Sequence, residues 1–323
     1  MRIGYKLSSE EQTPTALVEQ AQLAEECGFS FALISDHFHP WIERHPHSPF
    51  VWGVLGAIAE ATDRLVVGTG VTCPTTRIHP AIIAQAAATA ADLMPGRFFL
   101  GVGTGENLNE HILGGAWPEW DVRAEQLEEA VDVIRTLWRG EMVSHRGRHY
   151  RVQNAKIYTL PETLPPIRVA ASGPAMARIA GRIGDGLITT APDRELVAAY
   201  RESGGSGPLI GQLTVCWASS EATAKRTAKE WWPTAALHGE VTQELPNPSQ
   251  FTDLVKDVTE DQVAEAVTCG PDARPYLDAI DEFVEAGFDH VYLHQVGPDQ
   301  SGFIDFARRA LLPEVGAAAA GSR

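Results

Sequence analysis

The sequence predicts a (β/α)8 barrel, and three features of the chain indicate this fold. Short apolar runs that resemble buried strands alternate with amphipathic helical stretches. In the first half, the strand–helix unit recurs about every 30 residues, as expected of parallel βαβ crossovers. The length of 323 residues suits one large barrel with insertions. A doubly wound sheet, the alternative, would need fewer strands or a long ordered crossover.

The first half of the chain contains four predicted strand–helix units. The first helix, Pro14–Cys27, has the clearest boundaries, because Thr13 can cap it, Pro14 suits its first position and Gly28 suits its end. The other predicted elements here are strands over 3–7, 31–34, 65–69 and 98–102 and helices over 50–61, 80–93 and 121–138.

The second half is expected to complete the ring. Residues 142–158 alternate and contain a glycine turn, which predicts a β-hairpin outside the barrel. The polar, proline-containing stretch 232–257 is predicted as an insertion. The other predicted elements are strands over 167–171, 186–189, 213–218 and 290–294 and helices over 174–183, 194–203, 221–231, 259–267, 271–286 and 301–312. Residues 1–314 are thus predicted as one barrel domain and 315–323 as a disordered tail.

Composition and charge restrict the class of partner. With 44% hydrophobic and 21% charged residues, the chain is expected to be soluble and globular. Its 26 Lys and Arg against 42 Asp and Glu give a net charge of −16, which disfavours nucleic acid. No apolar run suits a membrane span, and a strand opens the chain where a secretory signal would stand, so we expect a cytoplasmic protein. The four cysteines are far apart and predict no metal site.

Functional side chains are expected where strands end, because the carboxyl ends of barrel strands surround one pocket. His37 follows a strand and neighbours Asp36, an arrangement suited to a general base, although a lone histidine more often has a structural role. Trp41 could be packing, or it could lean on a flat ring or a positive centre. The residues predicted to meet in the pocket are Asp36, His37, Trp41, Gly70, Glu106 and Ser172.

Two glycine-containing segments suggest ligand contacts. In Gly103-Thr104-Gly105-Glu106-Asn107, the glycines permit close approach to a planar ligand, and Glu106 would stand at the pocket mouth. This segment is not a dinucleotide fingerprint, since the third glycine is missing. Residues 171–176 run from a strand into a helix, whose N-terminal amides could bind a phosphate. Simple capping of the helix by Gly173 and Pro174 explains the same residues equally well.

With these motifs, the chain resembles the coenzyme F420-dependent glucose-6-phosphate dehydrogenase family of the luciferase-like barrels. The likeness extends from near the N-terminus to about residue 190. The motifs that carry it are Gly4-Tyr5-Lys6, Ser35-Asp36-His37-Phe38-x-Pro40-Trp41, Gly68-Thr69-x-Val71-x-x-Pro74-Thr75, Ala84-Gln85, residues 99–110 (FLGVGTGENLNE) and Gly181-Arg182-x-Gly184-Asp185-Gly186.

The resemblance implies an oxidised 5-deazaflavin across the barrel mouth and hydride transfer to its C5 from the carbinol carbon of a sugar, sugar phosphate or other alcohol. It implies that His37 takes the hydroxyl proton, that Trp41 steadies the reacting centre, that Glu106 donates a proton towards N1 of the reduced ring, and that Glu10 lines the pocket. The implied coenzyme-binding residues, with a cis peptide at Gly70–Val71, are Asp36, Gly70, Val71, Cys73, Gly103, Thr104, Asn109, Ser172, Gly173, Pro174, Ala175 and Met176. A homodimer is expected on the same ground.

The second half departs from that family. In the sugar-phosphate enzymes, lysines and an arginine there clamp the substrate phosphate, whereas residues 189–194 here read TTAPDR. Arg194, Lys256 and Arg274 could supply replacement charge, so the substrate stays open between a sugar phosphate, a neutral sugar and another alcohol. Two alternative activities also stay open: an FMN-dependent monooxygenase of the same barrel, and a deazaflavin-binding protein without turnover.

Overall fold

A computed structural model describes residues 1–239 and 241–315 of the chain. It contains eleven strands, nine in one sheet and two in a hairpin. The strands are β1 Arg2–Leu7, β2 Phe31–Ile34, β3 Val66–Thr69, β4 Phe98–Val102, β5 Val143–Arg146, β6 Arg151–Ala155, β7 Ile167–Ala170, β8 Leu187–Thr189, β9 Leu209–Cys216, β10 Thr268–Cys269 and β11 His290–Gln295.

Helices connect the strands. They are α1 Pro14–Cys27, α2 Val51–Ala61, α3 Pro80–Leu93, α4 Asn107–Glu110, α5 Trp120–Leu137, α6 Pro174–Ile183, α7 Arg194–Glu202, α8 Glu221–Trp231, α9 Val241–Glu244, α10 Pro248–Leu254, α11 Glu260–Ala264, α12 Ala273–Ala286 and α13 Gln300–Ala310, with 3-10 turns at His111–Leu113 and Pro233–Ala236. None of the helices in these two ranges is both long and apolar enough to cross a membrane.

Eight of the strands close into the predicted parallel barrel, in the order β1, β2, β3, β4, β7, β8, β9, β11. β11 returns to pair with β1, and β8 pairs with β9, so the ring has no open edge. The predicted hairpin is confirmed as β5 and β6, which pair antiparallel outside the barrel. The fold prediction is therefore confirmed, and all eight carboxyl strand ends face one side.

Local sequence explains where the elements begin and end. At α1, the Thr13 hydroxyl accepts a hydrogen bond of 3.1 Å from the amide of Ala16, and Gly28 ends the helix in the left-handed region at φ 96°. Inside the barrel, Phe31, Phe99 and Tyr292 belong to a separate apolar cluster. A side chain on Gly68 would meet the Phe99 ring at 2.1 Å, so this glycine makes room for the interior packing.

Some predicted boundaries were wrong. The seventh barrel strand, predicted over 213–218, is Leu209–Cys216, because residues from Leu209 onward pair with β8 and β11 on both sides. Gly211 lies within that strand, where the Phe283 ring of α12 packs closely against it. The helix predicted over 259–267 is confined to Glu260–Ala264, and the two-residue strand β10 follows.

The division into a barrel domain and a tail stays a prediction. Of the predicted tail, residues 316–323 lie outside the described part of the chain. Val315, its first residue, is buried against the core between the strands and the helices.

Candidate active site

A cavity of about 420 Å³ opens at the carboxyl ends of the barrel strands. This volume is typical of sites for small molecules and cofactors. The six residues that the sequence places in one pocket all line it: Asp36, His37, Trp41, Gly70, Glu106 and Ser172. Glu10 lines it as well.

His37 lies between two carboxylates. Its Nδ1 is 3.5 Å from Glu10 Oε1 and 3.2 Å from the carbonyl oxygen of His39, while its Nε2 is 3.5 Å from Glu106 Oε2. Both neighbours of Nδ1 are acceptors, so in the neutral imidazole we assign the proton to Nδ1. Nε2 is then the atom that can accept a proton, and the carboxylate of Glu10 stabilises the charge that the ring gains.

Glu10 is buried at the base of this arrangement. Its Oε2 accepts a hydrogen bond of 2.5 Å from the Ser35 hydroxyl. Burial would raise the pKa of Glu10, but the charges of His37 and Lys6 and the Ser35 hydrogen bond outweigh it and lower the pKa to about 2. Glu10 is therefore ionised at neutral pH and holds a fixed negative charge beside His37.

Lys6 is the buried cation of the cavity floor. It is 7% exposed, and its Nζ donates a hydrogen bond of 3.0 Å to the carbonyl oxygen of Gly70. Burial lowers the pKa of Lys6, and the nearby Glu10 and Glu106 oppose that shift. Lys6 thus bonds to the backbone after β3 and balances part of the negative charge of the carboxylates around His37.

Trp41 stands beside His37, with the two ring centroids 5.2 Å apart. Trp41 also packs at a right angle against the Phe251 ring, with 5.4 Å between the centroids. Phe251 is fully buried in α10, within the stretch predicted as an insertion. The insertion therefore fixes the indole next to the imidazole.

Asp36 anchors the His37 loop through an ion cluster. Arg77 Nη2 donates to Asp36 Oδ1 at 2.9 Å, Thr72 Oγ1 donates to Asp36 Oδ2 at 2.8 Å, and the Arg77 amide donates to Glu110 Oε2 at 2.6 Å. Burial lowers the pKa of Arg77, but the two carboxylates more than offset it and leave the pKa raised. Asp36 is consequently engaged by protein groups, and its immediate role is to hold the loop.

Asn109 joins the loops that carry His37 and Glu106. Its Oδ1 accepts from the amides of Phe38 and His39 at 2.8 and 3.1 Å, and its Nδ2 donates to Glu106 Oε2 at 3.0 Å. Glu106 itself precedes the four-residue helix α4, and its side chain is 30% exposed. Asn109 thus sets the distance between the imidazole and the carboxylate at the cavity mouth.

The apolar part of the cavity lining lies on the side of β3, β4 and β7. The Gly70–Val71 peptide is cis, as the resemblance implies. A side chain on Gly103 would meet Val71 Cγ2 at 2.9 Å, so the backbones pack closely here. The sequence-predicted coenzyme residues that line the cavity are Asp36, Gly70, Val71, Cys73, Gly103, Thr104, Asn109, Ser172 and Met176. Gly173, Pro174 and Ala175 form the start of α6 beside it and are not among its lining residues.

This wall suits a planar ring with an anionic extension. Val71, Ala170, Met176 and Ile188 offer apolar surface. The N-cap of α6, Gly173, makes no side-chain capping hydrogen bond. Amides of its first turn can therefore donate to an anion.

Sequence reasoning missed the wall on the opposite side. It is formed by Thr190, Gln212, Trp232, Leu237, Tyr292 and His294, with Thr234, Thr242 and Gln243. Residues 232–243 lie in the predicted insertion, and Gln212 lies before the predicted start of its strand. The rule that barrel strand ends face the pocket could have found His294, which lies near the end of β11.

The chain is similar over almost its whole length to known proteins. The model of a family described as luciferase-like monooxygenase matches residues 1–290. An F420-dependent glucose-6-phosphate dehydrogenase of Microbacterium testaceum is 37% identical, covering 98% of this chain and 97% of that protein. One of Nakamurella multipartita is 38% identical, covering 98% of this chain and 96% of that protein.

A solved structure is also close. An F420-dependent secondary alcohol dehydrogenase in complex with an F420-acetone adduct superposes with a TM-score of 0.89 at 31% identity, covering 96% of this chain and 98% of that one.

Proposed function

The chain belongs to the luciferase-like family, and from that premise we propose that it is a coenzyme F420-dependent dehydrogenase that oxidises a carbinol carbon. Relatives at 37% and 31% identity carry names of F420-dependent dehydrogenases acting on a sugar phosphate and on a secondary alcohol. When bound, the deazaflavin supplies a two-electron acceptor that takes hydride rather than single electrons.

The observation that carries the proposal is the position of His37 in the shared cavity. His37 lines the cavity, and a carboxylate oxygen lies 3.5 Å from each of its ring nitrogens. An imidazole held in this way can receive a hydroxyl proton as a carbinol carbon is oxidised to a carbonyl. A packing role alone would not require a buried carboxylate of lowered pKa beside it.

The proposed roles balance the reaction. The bound coenzyme would accept a hydride from the carbinol carbon, and His37 Nε2 would take the hydroxyl proton of the alcohol. With the coenzyme bound, Glu106 at the cavity mouth, in its protonated form, would supply the proton that the reduced ring takes up. Trp41 restricts the substrate from the side of His37, and Glu10 stabilises the imidazolium.

The residues around the cavity fit the coenzyme. Val71 and Met176 would pack on the deazaflavin ring, while Cys73, Asn109 and the backbone of residues 103–104 would surround its edge. The start of α6, from Ser172 to Met176, would hold the phosphate. The family resemblance implies these positions, and the apolar wall and the helix start without a side-chain cap support them.

The test is a spectroscopic assay with the purified full chain. Oxidised F420 is mixed with secondary alcohols, sugars and sugar phosphates, and loss of the coenzyme's visible absorbance is followed. We expect at least one class of alcohol to reduce it. Tight F420 binding without reduction by any of them would instead support a carrier without turnover. Oxygen consumption with reduced FMN would support the monooxygenase alternative.

The same proposal includes a cytoplasmic homodimer. Cys27, Cys73, Cys216 and Cys269 are all free thiols, as is usual in reducing compartments. Exposed apolar side chains on and before neighbouring helices, Phe50, Ile82 and Leu93, offer a surface for association. Light scattering coupled to size exclusion should give twice the monomer mass of 35.0 kDa, and a monomer would contradict it.

A further inference from the structure

We infer that the substrate is a neutral alcohol rather than a phosphate ester, an inference that rests on the proposed function and narrows it. Among the described residues, the wall away from the coenzyme contributes no Lys or Arg of its own, and Lys6 Nζ lies 6.0 Å from the centroid of the Tyr292 ring in that wall. The inferred substrate class therefore differs from the glucose 6-phosphate in the names of its relatives.

The charges around the cavity are predominantly negative. Among the described residues that line it, Lys6 is the single Lys or Arg, against the carboxylates Glu10, Asp36, Glu106 and Glu110. Lys6 is buried, donates one of its three N–H groups to the Gly70 carbonyl, and has its charge offset by the nearby Glu10, Glu106 and Glu11. Arg77 is not among the lining residues, and its guanidinium already pairs with Asp36 and Glu110.

The three cations that could have replaced a phosphate clamp lie elsewhere. Arg194 pairs with Glu285 at 3.5 Å, and its side chain is 70% exposed. Arg274 pairs with Asp278 at 2.6 Å, and its side chain is 78% exposed. Lys256 is exposed, and none of the three is among the residues that line the cavity.

The opposite wall offers uncharged groups instead. Thr190, Gln212 and Tyr292 provide hydroxyl and amide groups, while Trp232 and Leu237 provide apolar surface. His294 is 1% exposed, its ring packs edge-on against Trp232 at 4.4 Å, and its Nε2 lies 3.5 Å from Oε2 of the buried Glu11. Burial lowers the pKa of His294, so this ring is neutral at neutral pH.

A phosphate dianion in such a space would lack a counter-charge. Phosphate sites in proteins use Arg, Lys or several backbone amides, and here the carboxylates would repel the anion. A neutral secondary alcohol needs only a base for its hydroxyl and an apolar surface for its substituents. His37, Trp41 and Trp232 provide these.

The experiment compares kcat/KM for F420 reduction by propan-2-ol, cyclohexanol, glucose and glucose 6-phosphate. We expect the best neutral alcohol to exceed glucose 6-phosphate by about a hundredfold or more, as two missing charged hydrogen bonds would give. Equal or higher kcat/KM with glucose 6-phosphate would overturn the inference. Failure of every compound to reduce bound F420 would instead contradict the proposed function.

A binding titration decides the substrate class even in that last case. Tryptophan fluorescence of the full chain, to which Trp41 and Trp232 contribute, is followed during addition of glucose 6-phosphate or inorganic phosphate. We expect no saturable change below about 10 mM. Saturable binding of either anion, abolished by Gln212→Glu, would place a phosphate site in this half and contradict the inference.

A charge insertion with a matched control tests whether the lack of positive charge in this wall causes the preference for neutral alcohols. Thr190→Lys adds a cation to the neutral wall, and Thr190→Met adds similar bulk without charge. We expect Thr190→Lys to narrow the preference for propan-2-ol over glucose 6-phosphate by about tenfold, and Thr190→Met to leave that ratio near the wild-type value. The same ratio in both variants would show that charge in this wall does not govern the choice.

Discussion

The two walls of the cavity differ in how they are built. The wall formed by the early strands concentrates buried charge, with Lys6, Glu10, Asp36 and Glu110 all less than 10% exposed. The facing wall, from Thr190, β9, β11 and residues 232–237 and 242–243, contains threonine, glutamine, leucine, tyrosine, tryptophan and neutral histidine. Buried charges must be paired to be tolerated, whereas neutral polar groups can be exchanged at lower cost.

The difference indicates that the two walls have different functions in the proposed reaction. The charged wall holds a proton acceptor in a fixed environment, which the proposed chemistry needs whatever the alcohol. The neutral wall contacts the rest of the substrate and can vary without disturbing the base. Variants in the charged wall should therefore affect turnover and folding, and variants in the neutral wall should affect substrate choice.

The largest effect is expected from His37→Ala. Loss of the proton acceptor should lower kcat by about a hundred- to ten-thousand-fold, while F420 affinity, measured by fluorescence titration, changes little. His145→Ala is the matched control. His145 lies in β5 of the outer hairpin, where it pairs with Glu129 of α5, and it does not line the cavity. Unchanged turnover in His37→Ala would remove this residue from the proposed role.

Arg77→Met tests whether the charged wall depends on its counter-ions. The substitution leaves Asp36 and Glu110 buried without their shared partner, so the free energy of unfolding should fall by about 3–5 kcal/mol. Gln212→Met, the corresponding change in the neutral wall, removes only a hydrogen bond of 3.2 Å to Thr214 and should cost about 1 kcal/mol. Urea unfolding of both variants measures the change in the free energy of unfolding. Equal decreases would show that the two walls do not differ in their dependence on buried charge.

Glu10 gives the charged wall a specific pH dependence. Its pKa is about 2 when folded and ordinarily 4.5, so the folded chain binds its proton less readily than the unfolded chain. The stabilisation is complete above pH 4.5 and is lost as pH falls towards 2. At 1.36 kcal/mol per unit, it amounts to about 3 kcal/mol.

Glu10→Gln should therefore flatten the fall in stability over that window, as measured by urea unfolding at several pH values. Glu19→Gln, at an exposed carboxylate of α1, serves as the control. If both variants keep the wild-type slope, the ionised Glu10 does not contribute the predicted stabilisation.

The smallest effect is expected from Asn109→Ala, which releases the contact between the His37 loop and Glu106. Loss of its hydrogen bonds should weaken F420 binding by about tenfold and lower kcat by a similar factor. Asn109→Asp keeps the acceptor for the amides of Phe38 and His39 and should recover part of the loss. No difference between Asn109→Ala and the wild type would show that the loops are held by other contacts.

Local patterns in the sequence predicted the charged wall better than the neutral one. The apolar run Phe31–Ile34 followed directly by Asp36 and His37 places the base at a strand end, without knowledge of any distant contact. Gln212 escaped prediction because the start of β9 is set by pairing with β8 and β11, which no local pattern records. Helix α4 was also missed, since four residues are too few to show a helical period.

Residues 232–257 were predicted as an insertion, but nothing local indicated that Trp232, Thr234, Leu237, Thr242 and Gln243 would line the cavity. The position of this segment depends on long-range contacts: Asn107 donates a hydrogen bond of 2.8 Å to the Glu244 carbonyl, and Arg123 donates one of 3.0 Å to Gln243. Long-range partners of this kind decided which residues of the second half reach the site.

The most direct test of hydride transfer uses propan-2-ol carrying deuterium at the carbinol carbon, or another alcohol found to be active. After one turnover with oxidised F420, mass spectrometry of the reduced coenzyme should show one deuterium derived from the alcohol, formed at a rate lowered by a primary isotope effect. His37→Ala should form this product far more slowly. Reduced coenzyme that carries hydrogen from the solvent instead of the alcohol's deuterium would contradict direct transfer in this cavity.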